Sequence, residues 1–169
     1  TEGSLVAKSN AATRDTAGAD DAAAEEVAMV VKDFPGWEEM QKHWPSFRGA
    51  GSLGIAKYEN APVDWDIESG KNVKWGVELP RVGTNSPVVW GNRLFISGAD
   101  ESVREVYCYD TETGELLWTR SVEGLEDSPE EAPQINEETG FSAPTLAVHG
   151  DQVFAIFANA DLVSYDFEG

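Results

Sequence analysis

The sequence is poor in the residues that build reactive centres. In 169 residues it has one cysteine, Cys108, two histidines and two methionines. A lone cysteine cannot close an internal disulfide, and it says little about redox compartment. With so few nitrogen and sulfur donors, a tetrahedral zinc site is not expected. Cations are scarce too: 12 Lys and Arg stand against 31 Asp and Glu, giving a net charge of −19. Nucleic acid or an anionic membrane face needs a basic surface, so neither is an expected partner. No apolar run approaches the roughly 18 residues of a membrane-spanning helix. No charged and then apolar leader opens the sequence either. A chain of this length can bury one modest core.

Residues 1–26 are Ala-, Asp-, Glu-, Ser-, Thr- and Gly-rich, with Leu5 and Val6 as the only large aliphatics. Such a stretch cannot bury enough apolar surface to offset its ordering entropy. It is expected to be a disordered linker, whose removal over 1–19 leaves stability unchanged within about 0.5 kcal/mol. A short helical segment is predicted over 27–43, with Asp20 or Asp21 as cap and Glu25 and Glu26 in its early turns. Val27, Val30, Val31 and Phe34 make one apolar stripe, Pro35 and Gly36 interrupt it, and Trp37, Met40, Gln41 and Trp44 resume it. The stripe is expected to pack on the domain that follows.

From residue 44 the texture becomes short alternating runs broken by Gly, Pro, Asn and Asp. Val73, Trp75, Val77 and Leu79 alternate with Lys74, Gly76 and Glu78, which predicts a strand with one buried face. Four more strands are predicted at 87–90, 93–97, 105–110 and 115–122. Gly91-Asn92 suits a two-residue hairpin with positive φ. In the turn at 110–114, Asp110 can accept backbone N–H bonds and Gly114 can turn left-handed. The pattern then recurs: Ala143-Pro144, Gly150-Asp151, Val153-Phe154 and Tyr165-Asp166 echo Ser86-Pro87, Gly91-Asn92, Leu94-Phe95 and Tyr109-Asp110. Gly91 and Gly150 are 59 residues apart. Much of that spacing is an insertion, 124–140, with six acids and no base. Four-stranded sheets at blade-like spacing predict a β-propeller.

Asp110, Thr113, Gly114, Glu115 and Trp118, preceded by Val106-Tyr107-Cys108, resemble the tryptophan-docking motif of the pyrroloquinoline-quinone-like (quinoprotein-type) propeller repeats. In that family an Ala usually stands where this chain has Cys108. The runs 43–49, 71–75 and 85–92 look like the N-terminal start of bacterial members. The resemblance covers residues 43–169. It implies an all-β fold: a partial β-propeller of about two blades of four-stranded antiparallel sheet, over 44–169, after the linker and short helix. Trp118 is expected to wedge between neighbouring sheets with its indole N–H on a carbonyl. Asp110, Thr113, Gly114 and Trp118 are expected to serve blade packing rather than ligand contact.

Family members that use pyrroloquinoline quinone pair it with a divalent cation, and many stack an adjacent cysteine pair on the quinone. This chain has no such pair. Asp100, Glu101 and Glu105 are expected in the loop between the second and third strands, and Glu126, Asp127, Glu130 and Glu131 lie in the insertion. Neither group has EF-hand spacing, so both are expected to be solvated carboxylates. His43 and His149 are expected as packing or surface residues rather than bases. Arg48, beside Gly49, Gly51 and Gly54, could meet an anionic ligand. The expected role is instead to hydrogen-bond loop carbonyls as the leading segment crosses the propeller. No residue is assigned as catalytic, cofactor-binding or metal-binding.

Two functions stand. One is a non-catalytic binding or scaffolding module, similar in kind to the outer-membrane assembly lipoprotein of this fold. The other is the N-terminal part of a quinoprotein alcohol or sugar dehydrogenase. Quinone and calcium are expected only in a complete propeller, and not in this chain. The expected partner is a protein or the remaining blades, and the resemblance implies a periplasmic or extracellular location. The strand at 73–79 sits where a ring-closing strand belongs, so an incomplete ring is expected.

Overall fold

The computed structural model describes residues 34–57, 60–129 and 131–169. The chain divides into two units, Thr1–Lys32 and Asp33–Gly169, and the described residues belong to the second. The linker over 1–26, the Asp20/Asp21 cap and residues 27–33 of the expected helix lie outside them. The remaining part of that helix is a single turn, α1 (Trp37–Met40), which begins where Pro35 and Gly36 were expected to interrupt. It does not reach 43. His43 Nδ1 accepts the Gly91 N–H at 3.2 Å, and its ring stacks on Trp90 with centroids 4.2 Å apart. That contact draws the chain off the helical path.

Two antiparallel sheets follow. The first runs in order through β1 (Val88–Trp90), β2 (Arg93–Ala99), β3 (Arg104–Asp110) and β4 (Leu116–Ser121). The second contains β5 (Ala147–His149), β6 (Gln152–Ile156) and β7 (Leu162–Asp166). The repeat holds residue for residue at the hairpins. Trp90 pairs with Arg93 across Gly91, and His149 pairs with Gln152 across Gly150. Both glycines have positive φ, 57° and 67°. These are two blades of a partial β-propeller.

The β3–β4 turn closes as its residues dictate. The Asp110 carboxylate accepts the N–H groups of Glu112 and Thr113 at 2.8 and 2.9 Å, and Gly114 takes φ 74°. Trp118 on β4 then faces the second sheet, where its indole N–H donates to the Phe167 carbonyl at 2.9 Å. Its ring lies 5.9 Å from Phe95 and 6.0 Å from Tyr165. Val88, Phe95, Val106 and Cys108 from one sheet meet Leu146, Val148, Val153 and Phe157 from the other to form the core. Alternation sends Tyr107 and Tyr109 to the opposite face of the first sheet, where they are also buried.

One expected strand is absent. Residues 73–79 keep the expected alternation only in part, with Val73, Trp75 and Leu79 half-buried but Val77 exposed, and they pair with no strand among the described residues. Trp75 is what seats them. Its indole N–H donates to the Thr111 carbonyl at 2.9 Å, and its ring fills the space over Gly114, where a Cβ would come within 2.7 Å. Side-chain packing, not a backbone ladder, holds this segment.

The leading segment instead covers the inner strands. Trp44 exchanges both backbone hydrogen bonds with Val89, at 2.8 and 2.9 Å, and the Val148 N–H donates to the Pro45 carbonyl at 2.7 Å. Phe34 lies 4.5 Å from the His149 ring. The first strand of each blade thereby has its outer edge occupied by 44–45, which satisfies polar groups an open edge would leave bare.

Candidate functional site

The strand ends that carry the β2–β3 loop, the insertion at 124–140 and the β6–β7 loop form one contiguous surface. Its foundation is a buried polar pin between the blades. The Asn85 amide donates to the Ser97 and Ser142 carbonyls at 2.8 and 2.9 Å, and the Ser97 and Ser142 hydroxyls share a 2.7 Å hydrogen bond. The network satisfies its own donors and acceptors, as burial requires. Gly83 passes so close that a Cβ there would lie 2.3 Å from the Ser97 carbonyl oxygen. A second anchor is Asp161, buried, which accepts the Ser128 hydroxyl at 2.9 Å and the Asn159 amide at 2.7 Å. Arg104 Nε sits 3.0 Å from the same carboxylate as an ion pair, too poorly aligned for a hydrogen bond. Ser128 and Asp161 therefore tie the insertion to the second blade.

Over this base opens a cleft of about 690 Å³, lined by 79–82, 99–102 and 139–141. Arg81 bridges its wall, pairing with Asp100 and, at 3.2 Å, with Glu105. Glu105 also accepts the Tyr107 hydroxyl at 2.7 Å. The Ser102 and Val103 N–H groups donate to Asp100 at 2.9 and 2.8 Å. These backbone donors, aided by Arg81, lower the Asp100 carboxyl to about 2. Burial raises the Tyr107 hydroxyl well above the ordinary phenol range, and its hydrogen bond to Glu105 adds to the effect. A second hollow of about 310 Å³ adjoins the first through Glu101 and Ser102.

The residues singled out from sequence fall in different places. Glu105 belongs to β3 rather than to the loop, because both strands run further than predicted and leave only 100–103 between them. β2 continues through Gly98, where the absent side chain admits the Arg81 backbone; a Cβ would meet the Arg81 carbonyl oxygen at 2.7 Å. Glu126, Asp127 and Glu131 are exposed on the insertion, and Glu130 lies outside the described residues. His43 and His149 each pack on an aromatic ring. Arg48 makes no side-chain hydrogen bond to loop carbonyls among the described residues. It is exposed, with φ 61°, and its own carbonyl accepts the Gly54 N–H at 2.7 Å. Two neighbouring glycines make room for tryptophans, since a Cβ on Gly49 or Gly51 would come within 2.7 Å of Trp44 or Trp37, and a Cβ on Gly54 would lie 3.0 Å from the Arg48 guanidinium. Cys108 is buried, and desolvation raises its thiol to about 11. Sequence reasoning missed the roles of Arg81 and Asp161, which stand in no local motif, and of Asn85, which was seen only as the first residue of the run 85–92.

The family profile described as "Outer membrane protein assembly factor BamB", a PQQ-like repeat profile, matches residues 3–169. The chain belongs to this family. No curated protein matches it. The two equivalent hairpins are consistent with the family's repeat. Among the described residues no three His, Cys, Asp or Glu side chains converge, and Cys108 has no neighbouring cysteine. No helix among the described residues is long and apolar enough to cross a membrane.

Proposed function

We propose that the chain is a non-catalytic β-propeller module that binds or scaffolds proteins in the cell envelope or outside the cell, and that it uses its strand-end face. The observation that carries the reading is that face itself. Rigid blades, pinned through Asn85 and Asp161, present two adjoining hollows built from loops, the usual place for recognition on a fixed scaffold. The groups that titrate abnormally there serve the scaffold: Asp100 is held by its turn and by Arg81, and the Tyr107 hydroxyl donates to Glu105. Membership in a family described by an assembly factor supports protein binding and an envelope location. Neither quinone nor calcium is part of this reading.

A photo-crosslinking residue at Ser102, compared with one at Glu115 on the opposite end, tests it in the native cell. Protein adducts concentrated at Ser102 are expected. The full chain is also titrated with pyrroloquinoline quinone and Ca²⁺. Stoichiometric quinone absorbance retained through gel filtration would overturn the module reading in favour of a dehydrogenase.

A further inference from the structure

We propose that the cleft lined by 79–82, 99–102 and 139–141 docks an extended segment of a partner protein in which an apolar side chain is flanked by Lys or Arg. This rests on the binding-module reading and gives it an occupant. The cleft, about 690 Å³, has room for several side chains, and Leu79, Val82, Ala99 and Phe141 supply apolar walls. Val82 is 76% exposed, so an apolar occupant would remove surface from water on both partners.

Charge selects the kind of peptide. The two arginines that line these hollows are already committed, Arg81 to Asp100 and Glu105, and Arg104 to Asp161. Glu101 is exposed on the wall shared by the two hollows, with no side-chain hydrogen bond or ion pair among the described residues. Glu131, Glu137 and Glu138, exposed on the adjoining insertion, are equally uncommitted among the described residues. Asp100 differs: its turn and Arg81 occupy it. An apolar floor below un-neutralised carboxylates repels an acidic or phosphorylated segment and attracts a basic one. The basic flanks would meet Glu101 and the insertion while the apolar residue enters between Val82 and Phe141.

Fluorescein-labelled Lys-Leu-Lys-Leu-Lys and Glu-Leu-Glu-Leu-Glu are titrated with the full chain by fluorescence anisotropy. The basic peptide is expected to bind saturably and the acidic one not to bind. Glu101→Lys and Val82→Lys should each weaken the basic peptide about tenfold or more, whereas Glu115→Lys at the far end should change it by less than about twofold. Both cleft substitutions are at exposed positions, and an unchanged far-UV circular dichroism spectrum verifies the fold. Absence of saturable binding, equal binding of the acidic peptide, or equal weakening by Glu115→Lys would each overturn the proposal. If it fails while Ser102 still cross-links to a protein, the docking chemistry is wrong and the module reading survives. Retained quinone would remove the module reading itself.

Discussion

Trp118 shows how far one residue can organise this molecule. It is 9% exposed, packs on Phe95 and Tyr165, and hydrogen-bonds across the blade boundary to Phe167. Trp118→Ala removes the ring and leaves the Phe167 carbonyl without that donor, which is expected to cost about 3–5 kcal/mol. An unchanged midpoint in denaturant would show that the blades do not depend on it. Asp100 gives a pH signature. Its folded carboxyl lies at about 2 against an ordinary value of 3.8, so its contribution is full above the ordinary value and disappears as pH falls through about 2. Wild type is therefore expected to lead Asp100→Asn at neutral pH and to lose that lead between about pH 4 and 2. Thermal melts of both proteins across that window check it. Cys108, raised to about 11 by burial, is protonated at pH 8. A thiol reagent should label it only under unfolding conditions.

At the scale of elements, the β3–β4 turn and the Asn85 pin contrast in legibility. The turn is local: Asp110, Thr113 and Gly114 close it with bonds two or three residues long, so its residues announced it. The pin joins Asn85 to Ser142 across 57 residues, and nothing near Asn85 marks a partner so distant. Asn85→Ala leaves the Ser97 and Ser142 carbonyls without this donor in a buried site, at an expected cost of about 1–3 kcal/mol. Asn92→Ala, on an exposed hairpin, should stay within about 0.5 kcal/mol. Equal losses in chemical denaturation would mean the pin is not what joins the blades. The segment at 73–79 has the alternation of a strand without a strand's pairing. Its pattern predicted one covered face, which Trp75 anchors while Val77 stays exposed, and could not report whether a neighbouring edge was within reach.

For the whole molecule, edges matter more than cores. β4 and β7 are the last strands of their sheets among the described residues, and 73–79 joins no ladder. Val63, Trp65, Ile67, Val77 and Val82 are exposed along the same stretch of chain. Unpaired backbone beside apolar side chains favours edge-to-edge association. The 169-residue chain is expected to self-associate as concentration rises, despite its charge of −19. Sedimentation velocity over a hundredfold dilution tests this, and a monomer at every concentration would count against open edges.

The amino-acid sequence alone determined the blade. Alternating apolar residues, the glycines of the two hairpins and the Asp110–Trp118 run each act within a few residues, so strand order and turn position within the two sheets followed from local chemistry, whereas the strand expected at 73–79 did not form. Tertiary structure decided where blades touch, which carboxylates are spent on Arg81 and Arg104, and which remain free. It also decided that Gly49 and Gly51 make room for the rings of Trp44 and Trp37, and Gly54 for the Arg48 guanidinium. Those outcomes depend on groups dozens of residues apart meeting across a boundary, and a linear pattern of 3.6 or 2 residues carries no distance between them. The cleft belongs to the second kind, because its walls come from three segments that only the packing of one blade against the next brings together.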